Sequence, residues 1–335
     1  MLKVKKNIIL LGITLIFFFI SAYIIIGYLK KEDISLEKVT IACYRGEPAA
    51  LIYLAKQEGL FRKNGIELTI KDCQAGKLAV DALVAAETDL AIASESTLVA
   101  NSFQHRNLKV LTVVSEGKAR KVVARKDQGV KNPSDLAGKR IALVEKSADE
   151  YYLGHFLSLY NLEFSEVKTV YLKPSQIVAE LIAGTVDAGI IRDLSVCQKK
   201  KKIVENGVIW NLQTYNPFYF LLITKTKWVN DHPQCASSFM KALLQAENII
   251  TRDKNVLYSF FKNEFNYQDD CLRESLARNS YYIYLPQALL FECESQAFWR
   301  IKNKLTKEKR IPNYLNFIYP YALEVADSQR VDLIR

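Results

Sequence analysis

Three short polar groups each follow an apolar run and precede a helical pattern: Tyr44, Arg45 and Glu47; Gln74, Gly76 and Lys77; Ser94, Glu95 and Ser96. Ser115 and Glu116 close a fourth run. Ser147, Asp149 and Tyr151, then Arg192 and Asp193, repeat the arrangement mid-chain, and Tyr215, Phe218 and Tyr219 supply aromatic walls beyond them. Hydroxyls, guanidinium groups and the free N–H groups of helix starts hold solutes by hydrogen bonding and charge. The expected chemistry is recognition of a small molecule. Glu47, Glu95, Asp149 and Asp193 crowd the same positions as Arg45, Lys77 and Arg192. A carboxylate at a helix N-terminus competes with an anionic ligand for the dipole. A ligand bearing donors, such as an amino-heterocycle or an amine stacked on tyrosine, is therefore expected first, and a sulfonate or other small oxyanion second. Each residue also has a purely structural reading. Ser94, Ser96, Ser147 and Asp149 suit helix caps, Arg45 can pair with Glu47 or Glu95, and the aromatic residues suit a core.

Catalytic constellations do not emerge. The three histidines are His105, His155 and His232, and none has the i,i+4 partner and glutamate of a zinc-protease helix. The sequence contains neither a G-x-S-x-G elbow nor a P-loop. Its six cysteines (Cys43, Cys73, Cys197, Cys235, Cys271 and Cys293) include no C-x-x-C pair, so no zinc or redox motif is expected. Neither metal nor cofactor is implied. Cys43 and Cys73 end two adjacent strand patterns. A bridge between them and buried free thiols both remain open. The net charge is +10, but five of the lysines responsible (Lys3, Lys5, Lys6, Lys30 and Lys31) flank one N-terminal apolar run. With no basic face interleaved with aromatics, nucleic acid is not an expected partner. Lys199–Lys202 reads as a solvated run.

The elements that must position these groups alternate. Lys38–Tyr44, Ile66–Asp72, Leu90–Ala93 and Leu108–Ser115 read as strands, with helices after Pro48, over Leu78–Ala86 and from Ser96. The middle of the chain repeats the scheme, with strands at Arg140–Val144, Val167–Tyr171 and Asp187–Ile191 and helices at Asp149–Tyr160 and Gln176–Ala183. Residues 68–94 and 168–192 share one plan, in which Asp89 or Asp187 leads into the last strand. Such alternation implies parallel sheets with right-handed crossovers. From Trp228 onward the pattern is helical, at Pro233–Arg252, Val256–Phe265, Asp270–Ser280 and Pro286–Leu305, and the chain closes with Tyr314–Ile318 and Pro320–Asp327. At the other end, residues 7–29 form an uncharged, largely Ile/Leu/Phe run. A bilayer-spanning helix needs ~20 apolar residues. The expectation is an uncleaved transmembrane anchor behind a short cytoplasmic stub (residues 1–6), with a cleaved signal segment as the alternative and a linker over 30–37.

Several stretches together resemble the nitrate/sulfonate/taurine branch of periplasmic solute-binding proteins, which includes proteins binding thiamine-pyrimidine precursors. They are LIYLAKQEGLFRKNGIELTI (51–70), ALVAAETDLAIAS (82–94), NPSDLAGKRIAL (132–143), ELIAGTVDAGII (180–191), WVNDHPQCASSFMKALLQA (228–246) and NFIYPYALEVADSQRVDLI (316–334). The resemblance implies an α/β, two-lobed type II periplasmic-binding fold with a helical C-terminal section. Lobe 1 would span 38–127 and 225–335 and lobe 2 would span 128–224, with crossings near Arg125–Val130 and Ile223–Trp228. It implies the monomeric, extracytoplasmic solute-binding component of an ABC importer, with a permease and ATPase complex as partners, the membrane reached through the N-terminal helix, and capture by hinge closure. Two alternatives stand beside it. Some relatives of the fold are pyrimidine-precursor synthases, but these carry a Cys cluster this sequence lacks. A binding protein serving sensing or scavenging would need a separate signalling partner.

Overall fold

β1 (Glu37–Tyr44) and β2 (Ile66–Cys73) run parallel, from Glu37 opposite Ile66 to Tyr44 opposite Cys73. Val39, Ile41, Ala42 and Cys43 are all buried. Helices cover both faces of such a sheet, so the strand is continuously apolar rather than alternating. α1 (Ala50–Gln57) and α2 (Leu60–Lys63) connect β1 to β2. α3 (Gly76–Val84) leads to β3 (Leu90–Ser94), and α4 (Glu95–Ser102) to β4 (Leu108–Gly117). The computed structural model describes residues 36–118, 120–198, 206–213, 218–253, 255–265 and 269–334.

The middle of the chain builds a second sheet from β5 (Arg120–Arg125), β6 (Arg140–Leu143), β7 (Lys168–Tyr171), β8 (Ala188–Arg192) and β9 (Gly207–Asn211). Its helices are α5 (Ala148–Ser158), α6 (Pro174–Ala183) and α7 (Asp193–Gln198). β10 (Phe218–Lys225) then returns to the first sheet, followed by α8 (Thr226–Asp231), α9 (Pro233–Arg252), α10 (Asn255–Phe265), α11 (Asp269–Ala277), β11 (Asn279–Ser280), α12 (Gln287–Lys302) and α13 (Tyr321–Asp327). The sheet orders are β11-β4-β10-β3-β1-β2 and β7-β6-β8-β5-β9. Each sheet has a parallel trio with its first strand in the middle, extended by antiparallel strands. The internal similarity of residues 68–94 and 168–192 thus corresponds to the same unit in two lobes. Its aspartates do equivalent work. Asp89 Oδ2 accepts from Thr40 N at 2.8 Å, and Asp187 Oδ2 accepts from Arg140 N at 2.7 Å. In each lobe the aspartate before the third strand pins the start of the first.

Two expectations are corrected here. The chain leaves the first sheet after Gly117 and enters the second at Arg120; it returns between Asn211 and Phe218. Both crossings fall earlier than the expected 125–130 and 223–228. The reason is that the sheet each of β5 and β10 joins is chosen by antiparallel partners distant in sequence. The N-terminal transmembrane anchor is also withdrawn, with the membrane contact and the anchored localisation that rested on it. Among the described residues no helix is long and apolar enough to cross a membrane, and residues 1–35 lie outside them. Length and apolarity of a run are compositional criteria and do not by themselves place a helix.

The lobes share one buried apolar cluster, which joins Ile41 and Ile92 of the first sheet to Val122 and Ile141 of the second and to Leu153 on α5. α5 of lobe 2 carries much of this contact. Arg300 Nη1 on α12 meets Glu150 Oε2 at 2.5 Å, with both side chains buried. Tyr151 donates to or accepts from Ser295 Oγ at 3.2 Å and stands edge-on to Trp299. Trp299 lies so close to the α5 backbone that a Cβ on Gly154 would overlap the indole ring. Gly154→Ala is expected to force the two helices apart and to cost ~1–3 kcal/mol, the usual range for overpacking. A lower urea midpoint at unchanged m-value would register it.

Candidate functional site

In open α/β sheets, ligands bind beyond the strand C-termini, where neighbouring strands connect in opposite directions. Both lobes present that edge to the same gap. Tyr44 ends β1, Ser94 ends β3, and Arg192 ends β8, while Ser147 and Asp149 lie just past β6. A cavity of about 240 Å³ opens between them. The starts of α3, α4, α5 and α6 converge on it through Gly76, Ser94, Ala148 and Pro174. Gly76 is required by packing, because a Cβ there would sit 3.0 Å from the Ala93 Cα and hold α3 away from β3. Ser94 Oγ accepts from Thr97 N at 3.3 Å, and Ser147 Oγ accepts from Asp149 N at 3.2 Å. Both serines are therefore caps as well as lining residues.

Arg120, Asp149 and Arg192 are the charged residues of the lining among those described. The Arg192 guanidinium stacks 3.4 Å from the centroid of the Tyr44 ring, joining lobe 2 to lobe 1 across the gap. No carboxylate pairs with it among the described residues. Burial lowers its pKa, and the neighbouring Arg120 adds to this, while Tyr44, Glu47 and Asp149 oppose it. Arginine keeps its proton through such shifts. Arg120 donates from Nε to Asp149 Oδ1 at 3.0 Å. Its Nη1 is buried and has no hydrogen-bond partner, a costly state unless something occupies that donor. Asp149 Oδ2 accepts from Val144 N at 3.2 Å, so both of its oxygens are engaged. Among the described residues the cleft therefore carries one net positive charge, a guanidinium edge with no carboxylate partner, and several helix N-termini. Ile177, Val178 and Ile190 on one side, with Phe218 and Phe220 on the other, give it an apolar wall.

Of the expected residues, the structure gathers Tyr44, Gln74, Gly76, Ser94, Ser147, Asp149 and Arg192 around the cavity. The other described ones lie elsewhere, and each has a structural partner or setting. Arg45 lies 3.6 Å from Asp72, and Lys77 pairs with Asp81 along α3. Glu47 is buried and accepts from Ser275 Oγ at 2.6 Å. Ser115 Oγ donates to the Pro48 carbonyl at 3.0 Å. Glu116 lies opposite Tyr219 in the β4–β10 ladder, and Tyr151 packs in the lobe interface. Ser96 Oγ donates to Glu95. Tyr215 lies outside the described residues, as does the side chain of Asp193. The Cys43–Cys73 bridge is absent, and both thiols are free. In the parallel register Cys43 faces Asp72 and Cys73 faces Tyr44, so the two side chains point to opposite sides of the sheet.

Arg120 was missed because it begins a strand, and cleft residues were sought at strand ends. β5 runs antiparallel to β8 with Arg120 opposite Arg192, which brings its start to the same edge. Thr97, Ser175, Ser195 and Phe220 were missed with it. Ser175 and Ser195 lie within the first turns of α6 and α7, where a search one turn past each strand would have found them.

Glu95 is buried between the lobes. Its Oε1 accepts from Tyr152 OH at 3.1 Å and from Gln296 Nε2 at 2.8 Å, and its Oε2 has no partner. Burial raises its pKa to about 8. The folded chain then holds a proton that the unfolded chain has released between about pH 4.5 and pH 8. Stability is expected to fall as pH rises through that window, by at most ~1.4 kcal/mol per unit from this group. Glu95→Gln should remove this component, as seen by urea denaturation at a series of pH values.

A mixed α/β pair of lobes with a solute-sized cleft at the strand ends defines the type II periplasmic-binding architecture. The family model described as "NMT1/THI5 like" matches residues 48–253, more than half of the chain. The chain belongs to this family, within the nitrate/sulfonate/taurine branch of solute-binding proteins. It is 26% identical over 204 residues to a Bacillus subtilis (strain 168) protein provisionally named an aliphatic sulfonates-binding protein, covering 58% of this chain and 60% of that relative. It is 24% identical over 208 residues to the taurine-binding periplasmic protein of Escherichia coli (strain K12), covering 60% and 62% of the two chains. The match thus spans somewhat under two thirds of either relative. Among solved structures, the alkanesulfonate-binding protein SsuA from Xanthomonas axonopodis pv. citri bound to MOPS superimposes with a TM-score of 0.72 at 19% identity, covering 84% of this chain and 98% of that one. At that identity the likeness bears on the fold.

Proposed function

We propose that the protein is the extracytoplasmic solute-binding component of an ABC importer, taking a small organic anion into the interlobe cleft and delivering it to a permease and ATPase complex. The observation that carries the reading is the pair Arg120 and Arg192. They face each other across one antiparallel register and, among the described residues lining the cleft, are balanced by a single carboxylate that already holds Arg120. Of the carboxylates that favoured an amine, Glu47 and Glu95 turn into the core, and Asp149 lines the cleft with both oxygens already engaged. The oxyanion reading, second on sequence alone, therefore moves first, and the names of the sulfonate- and taurine-binding relatives agree with it. An anionic head group would meet the free edge of Arg192 and Nη1 of Arg120, with the helix N–H groups around it. An apolar or aromatic body would lie against Phe218, Phe220 and Ile190. Closure of the lobes follows from ligand groups bridging both walls. A disulfide joining Cys197 and Cys271 agrees with work in an oxidising compartment.

A thermal-shift panel tests the ligand class. Alkanesulfonates and small carboxylates should raise the melting temperature, with a stabilisation approaching ~2.7 kcal/mol at a hundredfold excess over the Kd. A response confined to amines or pyrimidines would overturn the anion reading.

A further inference from the structure

Cys197 and Cys271 form a disulfide across a sequence separation of 74 residues. The two cysteines belong to different lobes. Cys197 is on α7, which follows β8 of the second sheet. Cys271 is on α11, which leads into β11 of the first sheet. The bridge is therefore a third connection between the lobes, beside the two chain crossings. A pocket of about 150 Å³ at the sulfurs is also lined by Lys121 and Ile209, from the two second-sheet strands that adjoin those crossings.

Each end of the bridge also leads into the cleft. On one side, Arg192 precedes α7, and Ser195, two residues before Cys197, lines the cavity. On the other, Ser275 lies one turn beyond Cys271 on α11 and hydrogen-bonds Glu47, which follows Tyr44 in the loop after β1. Tyr44 and Arg192 stack on each other. The route Arg192–Ser195–Cys197–Cys271–Ser275–Glu47–Tyr44 is a closed ring through both walls of the site.

We propose that the Cys197–Cys271 disulfide is a redox latch that limits opening of the lobes and holds the Arg192 wall against the Tyr44 wall, so that a dithiol reductant loosens ligand retention. The second half of the proposal rests on the cleft being the ligand site. In the reducing step a thiolate of the dithiol attacks one bridge sulfur. The S–S bond breaks with its electron pair leaving on the other cysteine, and the reductant's second thiolate then attacks the reductant sulfur of the mixed disulfide, releasing the first cysteine as a thiolate and closing a cyclic disulfide. Two electrons and two protons end on Cys197 and Cys271, and the reductant is oxidised by the same two electrons. The pocket at the sulfurs provides the point of entry.

The test uses the full chain in three forms: oxidised, treated with dithiothreitol after folding, and carrying Cys197→Ser with Cys271→Ser. Non-reducing peptide mapping first establishes the bridge. Small-angle scattering without ligand should then give a larger radius of gyration for the reduced and serine forms. Dissociation of ethanesulfonate should be ~10-fold faster in both, a typical coupling between linked sites. The dithiothreitol-treated protein keeps the comparison valid if the serine variant folds poorly. A peptide map with no bridge, or identical scattering in oxidised and reduced protein, would overturn the latch. If scattering changes but ethanesulfonate binds no form, the latch stands and the anion reading fails.

Discussion

Arg192→Ala is expected to weaken binding of a small alkanesulfonate by ~100-fold or more, because each hydrogen bond to a charged partner contributes ~1.5–3 kcal/mol and ~1.4 kcal/mol is a factor of ten. The effect should be large for two reasons. Arg192 has no carboxylate partner among the described residues, so its donors are not divided between protein and ligand. It is also held against the Tyr44 ring in lobe 1, so the guanidinium is set before the ligand arrives. Little loss of stability is expected, since removing the half-buried cation relieves its desolvation cost along with its attraction to Tyr44, Glu47 and Asp149. Titration calorimetry with the melting temperature measured in parallel separates the two effects. Arg192→Lys should fall between wild type and alanine, because an ammonium keeps the charge but loses the planar stacking face and the fork of donors. Unchanged affinity in the alanine variant would remove Arg192 from the site.

The second large effect concerns the lobe interface. Arg300→Ala should cost ~3–5 kcal/mol, since removing one member of a buried ion pair strands the other. The pair is Arg300 Nη1 with Glu150 Oε2 at 2.5 Å, and the side chains are 5% and 2% exposed. Replacing both members, as in Arg300→Met with Glu150→Leu, should recover most of the loss, because the desolvation of two charges disappears together with their attraction. Urea denaturation of the two single variants and the double variant checks this as a cycle. If Arg300→Ala proves neutral, the ion pair has no net role in holding the lobes.

Much of the architecture was legible beforehand, for physical reasons visible in individual elements. Pro233 and the 3.6-residue periodicity after it placed α9 at Pro233–Arg252. The repeat ending in Asp89 and Asp187 announced two similar lobes, and the two aspartates turn out to brace corresponding strands. The crossings were not legible, because β5 and β10 join sheets through antiparallel partners far along the chain. The site was half legible. Residues at strand ends were found where they continue into the gap, as with Tyr44, Ser94 and Arg192. Glu47, Glu95 and Tyr151 were equally well placed in sequence but pack against other helices.

Local patterning alone determined the alternation of strands and helices, the helical C-terminal section and the family to which they belong. Each of these depends on periodicity, turn residues and short stretches of chain, which are local properties. Only the tertiary structure decided that Arg120 faces Arg192, that Cys197 pairs with Cys271, and that Glu47 and Glu95 turn away from the cleft. Those outcomes depend on which strands pair and in which direction. They join residues tens of positions apart, and no nearest-neighbour preference along the chain encodes them.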